Sequence, residues 1–361
     1  MSVSYIHVGL GDFSLQRLEM ILSENLFEPV AFVDLKVEES KKKLNNLKNL
    51  PEGYSDRVFE TISEAKKNFN SDVVIIYVSS DAHCNLVCEA LNLGLNVFCV
   101  KSIANNLDEF EKILSYKKKS KDLILVQGHN NQWNEASLYM QKLLKDKSLF
   151  GNFITGYCNM WGMQNLSGEK TKVDVTQDGI YFHSMGVHQL SQLVMAVGLP
   201  KSVRSISPIC DNKDLGYSNS IRTSGGSCLF DYGDNRVFTY VGNRAGHGNP
   251  HGFASRWSGI WMFHGTNADI YRDRGRITIY KKGNIIQDLF LKDLDLNLIE
   301  DEKVQLKQFK NRLNKKIDQI DIQRSSLETW ILMEACNISS RENKEINIQD
   351  LIDKVNLYEI C

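Results

Sequence analysis

The chain has 361 residues, with 43 Lys and Arg against 44 Asp and Glu and a formal net charge of −1. So even a balance gives no overall field to attract nucleic acid or an anionic membrane, and neither is expected as a partner. A hydrophobic content of 42% with 24% charged residues is that of a folded globular protein, which excludes disordered and fibrous classes, and the length points to two domains.

The amino terminus enters a strand at 5–8 without the charged segment and apolar run of a secretion signal, and the longest apolar run, 73–78, is too short to span a bilayer. Strands are predicted at 5–8, 29–33, 73–77, 96–100 and 123–126, with helices at 13–23, 82–93 and 107–118 between them. That alternation is the pattern of a doubly wound parallel sheet, a Rossmann dinucleotide-binding domain over 1–128.

After a helix at 134–145 the texture changes near Phe150-Gly151, and strands follow one another at 152–161, 202–208, 224–231, 236–241, 259–264, 268–271, 276–280 and 285–290. One long helix, 179–197, interrupts them. Turn signals such as Tyr232-Gly233-Asp234-Asn235 and Lys282-Gly283-Asn284 indicate a large, mainly antiparallel open sheet in a second, α+β domain over 129–361. Two helices close the chain, at 300–316 with a solvated charged face and at 324–339, and the C-terminal helices of 323–361 are expected to pack back near the first domain. The second domain is expected to bind substrate and, through an uncovered sheet face, to form a homodimer or homotetramer.

The eight cysteines, at 84, 88, 99, 158, 210, 228, 336 and 361, lack metal-ligand spacing and fit buried, reduced thiols in a cytoplasmic protein. No metal site is expected. The loop 243–253, with His247 and His251, lacks a carboxylate or cysteine at ligand spacing and reads as a mobile loop or substrate lid.

Gly9-Leu10-Gly11-Asp12-Phe13-Ser14 follows the first strand and opens the first helix. Gly9 permits a tight turn, and Gly11 lets backbone amides approach a diphosphate at the positive helix end. Ser14 stands at the third fingerprint glycine, and the charge of Asp12 suits a diphosphate only if it points outward. Asp34 ends the second strand at the spacing where a carboxylate accepts hydrogen bonds from ribose hydroxyls, which favours NAD. Lys36 nearby leaves NADP open. With Phe13, Ser79, His83 and Lys101, these residues form the expected cofactor set.

The stretch 83–102 then carries a histidine, a helix, a glycine, a strand and a lone lysine, and Lys101 at the carboxyl end of that strand is the first candidate catalytic residue. Here the chain resembles the glucose–fructose oxidoreductase / inositol dehydrogenase family (Gfo/Idh/MocA) over nearly its whole length. His83, Gly94, Val97 and Val100-Lys101-Ser102 stand in the order of the family's His, Gly-x-x-Val and Glu-Lys-Pro. Ser184-Met185-Gly186-Val187-His188 matches its Asp-x-Gly-x-His, and Glu334-Ala335-Cys336-Asn337-Ile338-Ser339-Ser340 its late Glu-Ala-x-x-x-Ser helix end.

The resemblance implies an NAD(P)-dependent oxidoreductase moving a hydride between a secondary alcohol of a sugar, nucleotide sugar or cyclitol and the nicotinamide. His188 would be the base and Lys101 the group that stabilises alkoxide charge. Ser184, one helical turn before His188, replaces the family's Asp, while Val100 and Ser102 replace its Glu and Pro. His183 would point about 100° away on an ideal helix and is left out. Asn130, Trp161, Ser184 and His188 are the expected substrate contacts. The three departures keep two alternatives in play: a catalytically altered dinucleotide- or sugar-binding protein, and a glycoside-cleaving enzyme that retains its nicotinamide.

Overall fold

Six short strands, β1 (Ser4–Val8), β2 (Glu28–Val33), β3 (Val58–Phe59), β4 (Val73–Ile76), β5 (Asn96–Val100) and β6 (Leu125–Gly128), pair in parallel in the order β3-β2-β1-β4-β5-β6. Helices α1 (Asp12–Ser23), α2 (Val37–Leu44), α3 (Ile62–Asn68), α4 (Ser80–Asn92) and α5 (Leu107–Lys119) connect them. Strands covered on both faces must be apolar throughout, and the four residues of β4 are all buried. Because β1 and β4 are neighbours while the chain proceeds outward on either side of them, their carboxyl ends form the switch point of a Rossmann sheet. This computed structural model describes residues 3–161, 181–210, 222–223, 225–243, 259–291, 298–315 and 321–360.

The chain divides into two units, one of residues 1–128, 303–326 and 355–361, the other of 129–302 and 327–354. In the first, the 303–313 part of α8 (Leu298–Leu313) lays Phe309 against Phe27 and Phe98, with ring centroids 6.1 and 5.6 Å apart. An edge strand leaves a row of amides unpaired. On β6 two of these are met by the start of α9 (Ile322–Glu342): Leu125 N–H donates to Gln323 Oε1 at 2.8 Å and Gln127 N–H to Ser326 Oγ at 3.1 Å. This last strand, expected at 123–126, lies at Leu125–Gly128. The two-residue β3 is too short to carry a periodic signal.

The second unit is built on β7 (Phe153–Trp161), β8 (Ser202–Ile206), β11 (Gly225–Gly233), β12 (Arg236–Asn243), β13 (Ile260–Gly265), β14 (Asp269–Asp273), β15 (Arg276–Lys281), β16 (Asn284–Phe290) and β17 (Ile346–Asn347). Among the described residues they form one sheet in the order β16-β15-β14-β13-β7-β12-β11-β8-β17, antiparallel except between β7 and β12. A separate pair, β9 (Ile209–Cys210) and β10 (Arg222–Thr223), is antiparallel. The predicted turn between β11 and β12 has Asp234 and Asn235 at φ 55° and 60°, the left-handed pair a tight hairpin uses.

Burial alternates along β11, with Cys228, Phe230 and Tyr232 inward and Leu229 outward. On the inner side lie α6 (Glu135–Lys145) and α7 (Val187–Val197), the latter buried from Val187 to Ala196. The helix expected over 179–197 is not uniform, since Phe182–Gly186 winds as a π-helix before α7 begins; residues 179–180 lie outside those described. Glycines let this segment sit close to the sheet: a Cβ on Gly226 would meet the Phe182 ring at 2.4 Å, and one on Gly242 would lie 1.8 Å from the Tyr181 hydroxyl.

Arg272 of β14, 1% exposed, ties these layers together, donating to Gln192 Oε1 at 2.7 Å, Ser137 Oγ at 2.8 Å and Asn134 Oδ1 at 3.2 Å. The Glu-Ala-x-x-x-Ser match lies on α9, and its end is bonded to β8 and to Ser207 just beyond it. Ser339 Oγ accepts from Ser205 N–H at 2.9 Å and Ser340 Oγ from Ser207 N–H at 2.8 Å. The short α10 (Ile348–Val355), within the helical stretch expected over 323–361 but without bounds of its own there, follows β17.

Two stability outcomes follow. Gly242→Ala forces the Tyr181 and Tyr240 rings apart and is expected to cost about 1–3 kcal/mol, read as a lowered denaturation midpoint; an unchanged midpoint would refute the packing described. Burial among Tyr5, Phe32 and Tyr77 pushes His7 down to about 3 from 6.5, a backbone hydrogen bond with Gly9 opposing it. The unfolded chain takes up that proton at higher pH than the folded one, so the contribution of His7 is complete above 6.5 and is lost as pH falls towards 3. Melting temperatures should therefore drop on acidification through that window, and drop less steeply in His7→Asn.

Candidate active site

All six strands of the first unit run in one direction, so the turns after β1, β2, β4 and β5 open on one edge of the sheet. The first is fixed by Gly9, at φ +94°, where a Cβ would lie 2.3 Å from the Tyr77 carbonyl oxygen; no other residue type fits. Its N–H donates to Val33 O at 2.8 Å, and Leu10 packs into a buried cluster with Leu18, Phe32, Leu44 and Val58.

Gly11 is the N-cap of α1 with no side-chain cap bond, and a Cβ there would meet nothing within 4 Å. The space beside the first-turn amides is thus open, and these amides carry the positive end of the helix dipole. That donor set fits a diphosphate. Asp12 is exposed, and Phe13, 53% exposed, lies edge-on to Tyr77 and under the Arg17 guanidinium, 3.8 Å from its ring centroid.

Asp34 follows β2 with both oxygens held by the backbone: Oδ2 accepts from Leu10 N–H at 2.8 Å and Oδ1 from Lys36 N–H at 2.9 Å. A carboxylate oxygen offers two lone pairs, so each retains capacity for a ribose hydroxyl. Glu39 bridges the nearby cations, at 3.3 Å from Lys36 Nζ and 2.8 Å from Lys43 Nζ.

Ser79, exposed, is the N-cap of α4. His83, fully buried, faces a carbonyl oxygen with each ring nitrogen: Nδ1 is 2.7 Å from Ser102 O and Nε2 3.0 Å from Val78 O. It therefore braces the turn after β4 against the segment after β5, which carries half-buried Lys101. The Lys101–Ser102 peptide bond is cis. Sequence reading missed a second brace, Gln127, whose Oε1 accepts from Ile103 N–H at 2.8 Å; its signal is an amide in the otherwise apolar, fully buried β6.

The remaining expected residues belong to the second unit and are described within it. Asn130 accepts from Asn131 N–H at 3.1 Å, capping a short helical turn at Asn131–Trp133. Trp161 ends β7, half-buried and paired with Asn243 of β12. Ser184 and His188 are 7% and 8% exposed. The offset that would align them as successive turns of an α-helix does not apply, because Ser184 lies in the wider π turn.

His183, set aside in the sequence reading, is buried with Nε2 3.1 Å from Glu334 Oε2 and its ring edge-on to Trp330. The pairing partner lies 151 residues away, so no local pattern announces it. Of the loop 243–253, residues 244–253 with His247 and His251 lie outside those described; among the described residues no group of three His, Cys, Asp or Glu side chains is placed to hold a metal.

Residues 3–128 match the family GFO_IDH_MocA, described as an oxidoreductase family with an NAD-binding Rossmann fold. An uncharacterized oxidoreductase of Schizosaccharomyces pombe, C115.03, is 24% identical over 148 residues, which is 40% of this chain and only 39% of that relative. Solved structures share the fold over more of the length. An oxidoreductase from Agrobacterium radiobacter in complex with NAD+, L-tartaric acid and magnesium matches 97% of this chain and 100% of its own, with TM-score 0.79 and 14% identity. The myo-inositol 2-dehydrogenase of Lactobacillus plantarum matches the same shares with TM-score 0.70 and 18% identity. Over residues 3–128, the chain is thus similar to the Gfo/Idh/MocA oxidoreductases with an NAD-binding Rossmann fold.

Proposed function

We propose that this protein is an NAD-dependent dehydrogenase acting on a secondary alcohol of a sugar, nucleotide sugar or cyclitol. The observation that carries the reading is the shared sheet edge: the uncapped first turn of α1 behind Gly9 and Gly11, the backbone-held carboxylate of Asp34, and Lys101 at the end of β5. NAD is favoured over NADP because a 2′-phosphate would meet the Asp34 carboxylate, while Lys36 and Lys43 are already paired with Glu39. Bound at this edge, the nicotinamide would supply the hydride acceptor or donor.

The chain's own residues then have separate tasks. The α1 amides, with Phe13 and Ser79 beside the turns, would hold the diphosphate and its neighbours, and His83 would keep the Lys101 segment in place. Lys101 is assigned to the substrate hydroxyl, where its ammonium stabilises alkoxide charge, and His188 to taking up the hydroxyl proton. Ser184, in the place of a carboxylate, leaves His188 a weaker base than its family counterpart. Asn130, Ser184 and Trp161 are assigned to substrate hydroxyls and ring.

The reading extends to assembly and location. Tyr157, Leu229, Val241 and Ile206, all exposed, lie on β7, β11, β12 and β8 and give that sheet face apolar character suited to a second copy of the chain, as homodimer or homotetramer. Cys84, Cys88, Cys99, Cys158, Cys228 and Cys336, all free and buried, accord with a reducing cytoplasm.

A second reading, a dinucleotide- or sugar-binding protein without turnover, is favoured by Ser184 alone among the structural observations, since a buried hydroxyl cannot raise the basicity of a histidine as a carboxylate does. Titration with NADH and NADPH, followed by nicotinamide fluorescence, tests both. Asp34→Ala is expected to weaken NADH binding about tenfold or more and to narrow the preference over NADPH. Lys101→Ala and His188→Ala should each lower turnover about a hundredfold or more with NADH affinity nearly unchanged. Full turnover in both would refute the roles assigned to Lys101 and His188, and tight NADH binding without reduction of NAD+ by any polyol would favour the second reading.

A further inference from the structure

We propose that His7 and Ser14 are positioning residues for the dinucleotide, acting by clamping the Gly9–Leu10 peptide on which the phosphate turn and the ribose carboxylate both depend. The inference rests on the dinucleotide reading of this edge. Its observation is a run of hydrogen bonds beneath the turn. Tyr5 Oη lies 3.2 Å from His7 Nδ1, His7 Nε2 lies 2.7 Å from Ser14 Oγ, and Ser14 Oγ donates to Gly9 O at 2.6 Å. On the other side of the same peptide, Leu10 N–H donates to Asp34 Oδ2 at 2.8 Å.

The protons in this run have one consistent placement. Gly9 O can only accept, so the Ser14 hydroxyl is the donor to it. Ser14 Oγ must then accept from His7, which puts the imidazole proton on Nε2. A neutral ring leaves Nδ1 bare, and it accepts from Tyr5 Oη–H. Burial holds both ends of that assignment, pushing the Tyr5 hydroxyl up so that it keeps its proton and His7 down so that it stays neutral.

Tyr5, His7 and Ser14 are 0–1% exposed, so each polar atom left without a partner would carry a desolvation cost. A serine at the third fingerprint position is therefore matched by a histidine seven residues earlier on β1 and by the carbonyl of the first fingerprint glycine. The peptide plane is held at its oxygen by Ser14 and at its nitrogen by Asp34. Asp34 and the turn consequently move as one body, and the amides that follow keep their direction toward the open side of Gly11.

A purely structural role would lower stability and leave affinity alone, so the test reads affinity. Ser14→Ala and His7→Phe are expected to raise the NADH dissociation constant about tenfold, the loss of about one hydrogen bond's worth of fixed geometry. Both should speed amide exchange at Leu10, while His7→Gln, which can donate to Ser14 and accept from Tyr5, should bind nearly as the parent does. Unchanged affinity in folded Ser14→Ala and His7→Phe would overturn the proposal. Should those variants fail to fold, the proton position on His7 in the parent decides it by imidazole nitrogen NMR: an Nδ1–H ring or an imidazolium at neutral pH overturns it. A parent protein that binds neither NADH nor NADPH defeats the dinucleotide reading itself, and this inference with it; binding by the parent with indifferent variants defeats this inference alone.

Discussion

The close approach of Gly9 to the Tyr77 carbonyl is the constraint on which the first unit's edge depends. At φ +94°, with 2.3 Å left for any Cβ, the chain can leave β1 and enter α1 only through a glycine. That turn buries Leu10 among Leu18, Phe32, Leu44 and Val58, so the helix entry, the second strand and the core beneath them are set by one backbone conformation. Asp34 takes its position from the same turn through Leu10 N–H. The braces at the next two turns work by the same logic: His83 and Gln127 use buried polar side chains to hold backbone where no regular ladder reaches it.

The second unit solves a different problem, seating an all-buried helix on a sheet. Gly226 and Gly242 remove side chains where Phe182 and Tyr181 come down, and Arg272 joins α6, α7 and β14 through amide and hydroxyl oxygens. The π turn at Phe182–Gly186 lies where this close seating begins. Ser339 and Ser340, part of a motif that resembles the family's, serve as acceptors for amides of β8 and of Ser207 just beyond it, which gives that helix end a structural task.

The period-two and period-3.6 patterns made the two-part architecture legible, and the parallel sheet followed from β-branched runs such as Val73–Ile76. The turn at Gly9 and the carboxylate at Asp34 were legible because spacing along the chain carries them. What was not legible depends on contacts distant in sequence or on very short elements. His183 with Glu334 and Gln127 with Ile103 are pairs no window detects, β3 and β17 are two residues each, and the π turn has the same apolar pattern as the helix it precedes.

Four of the buried thiols carry a practical consequence of burial. Cys99, Cys158 and Cys228 have their thiols pushed well above the ordinary range by desolvation, and Cys88 is pushed up to about 12, so almost no thiolate is present at neutral pH. Alkylating reagents and peroxides attack the thiolate, and at Cys88, Cys99, Cys158 and Cys228 the folded protein offers them almost none. Covalent labelling at these four positions therefore proceeds mainly through opened forms, and because they are spread over β5, β7, β11 and α4, the order in which they are modified is a chronological record of which parts of the chain open first.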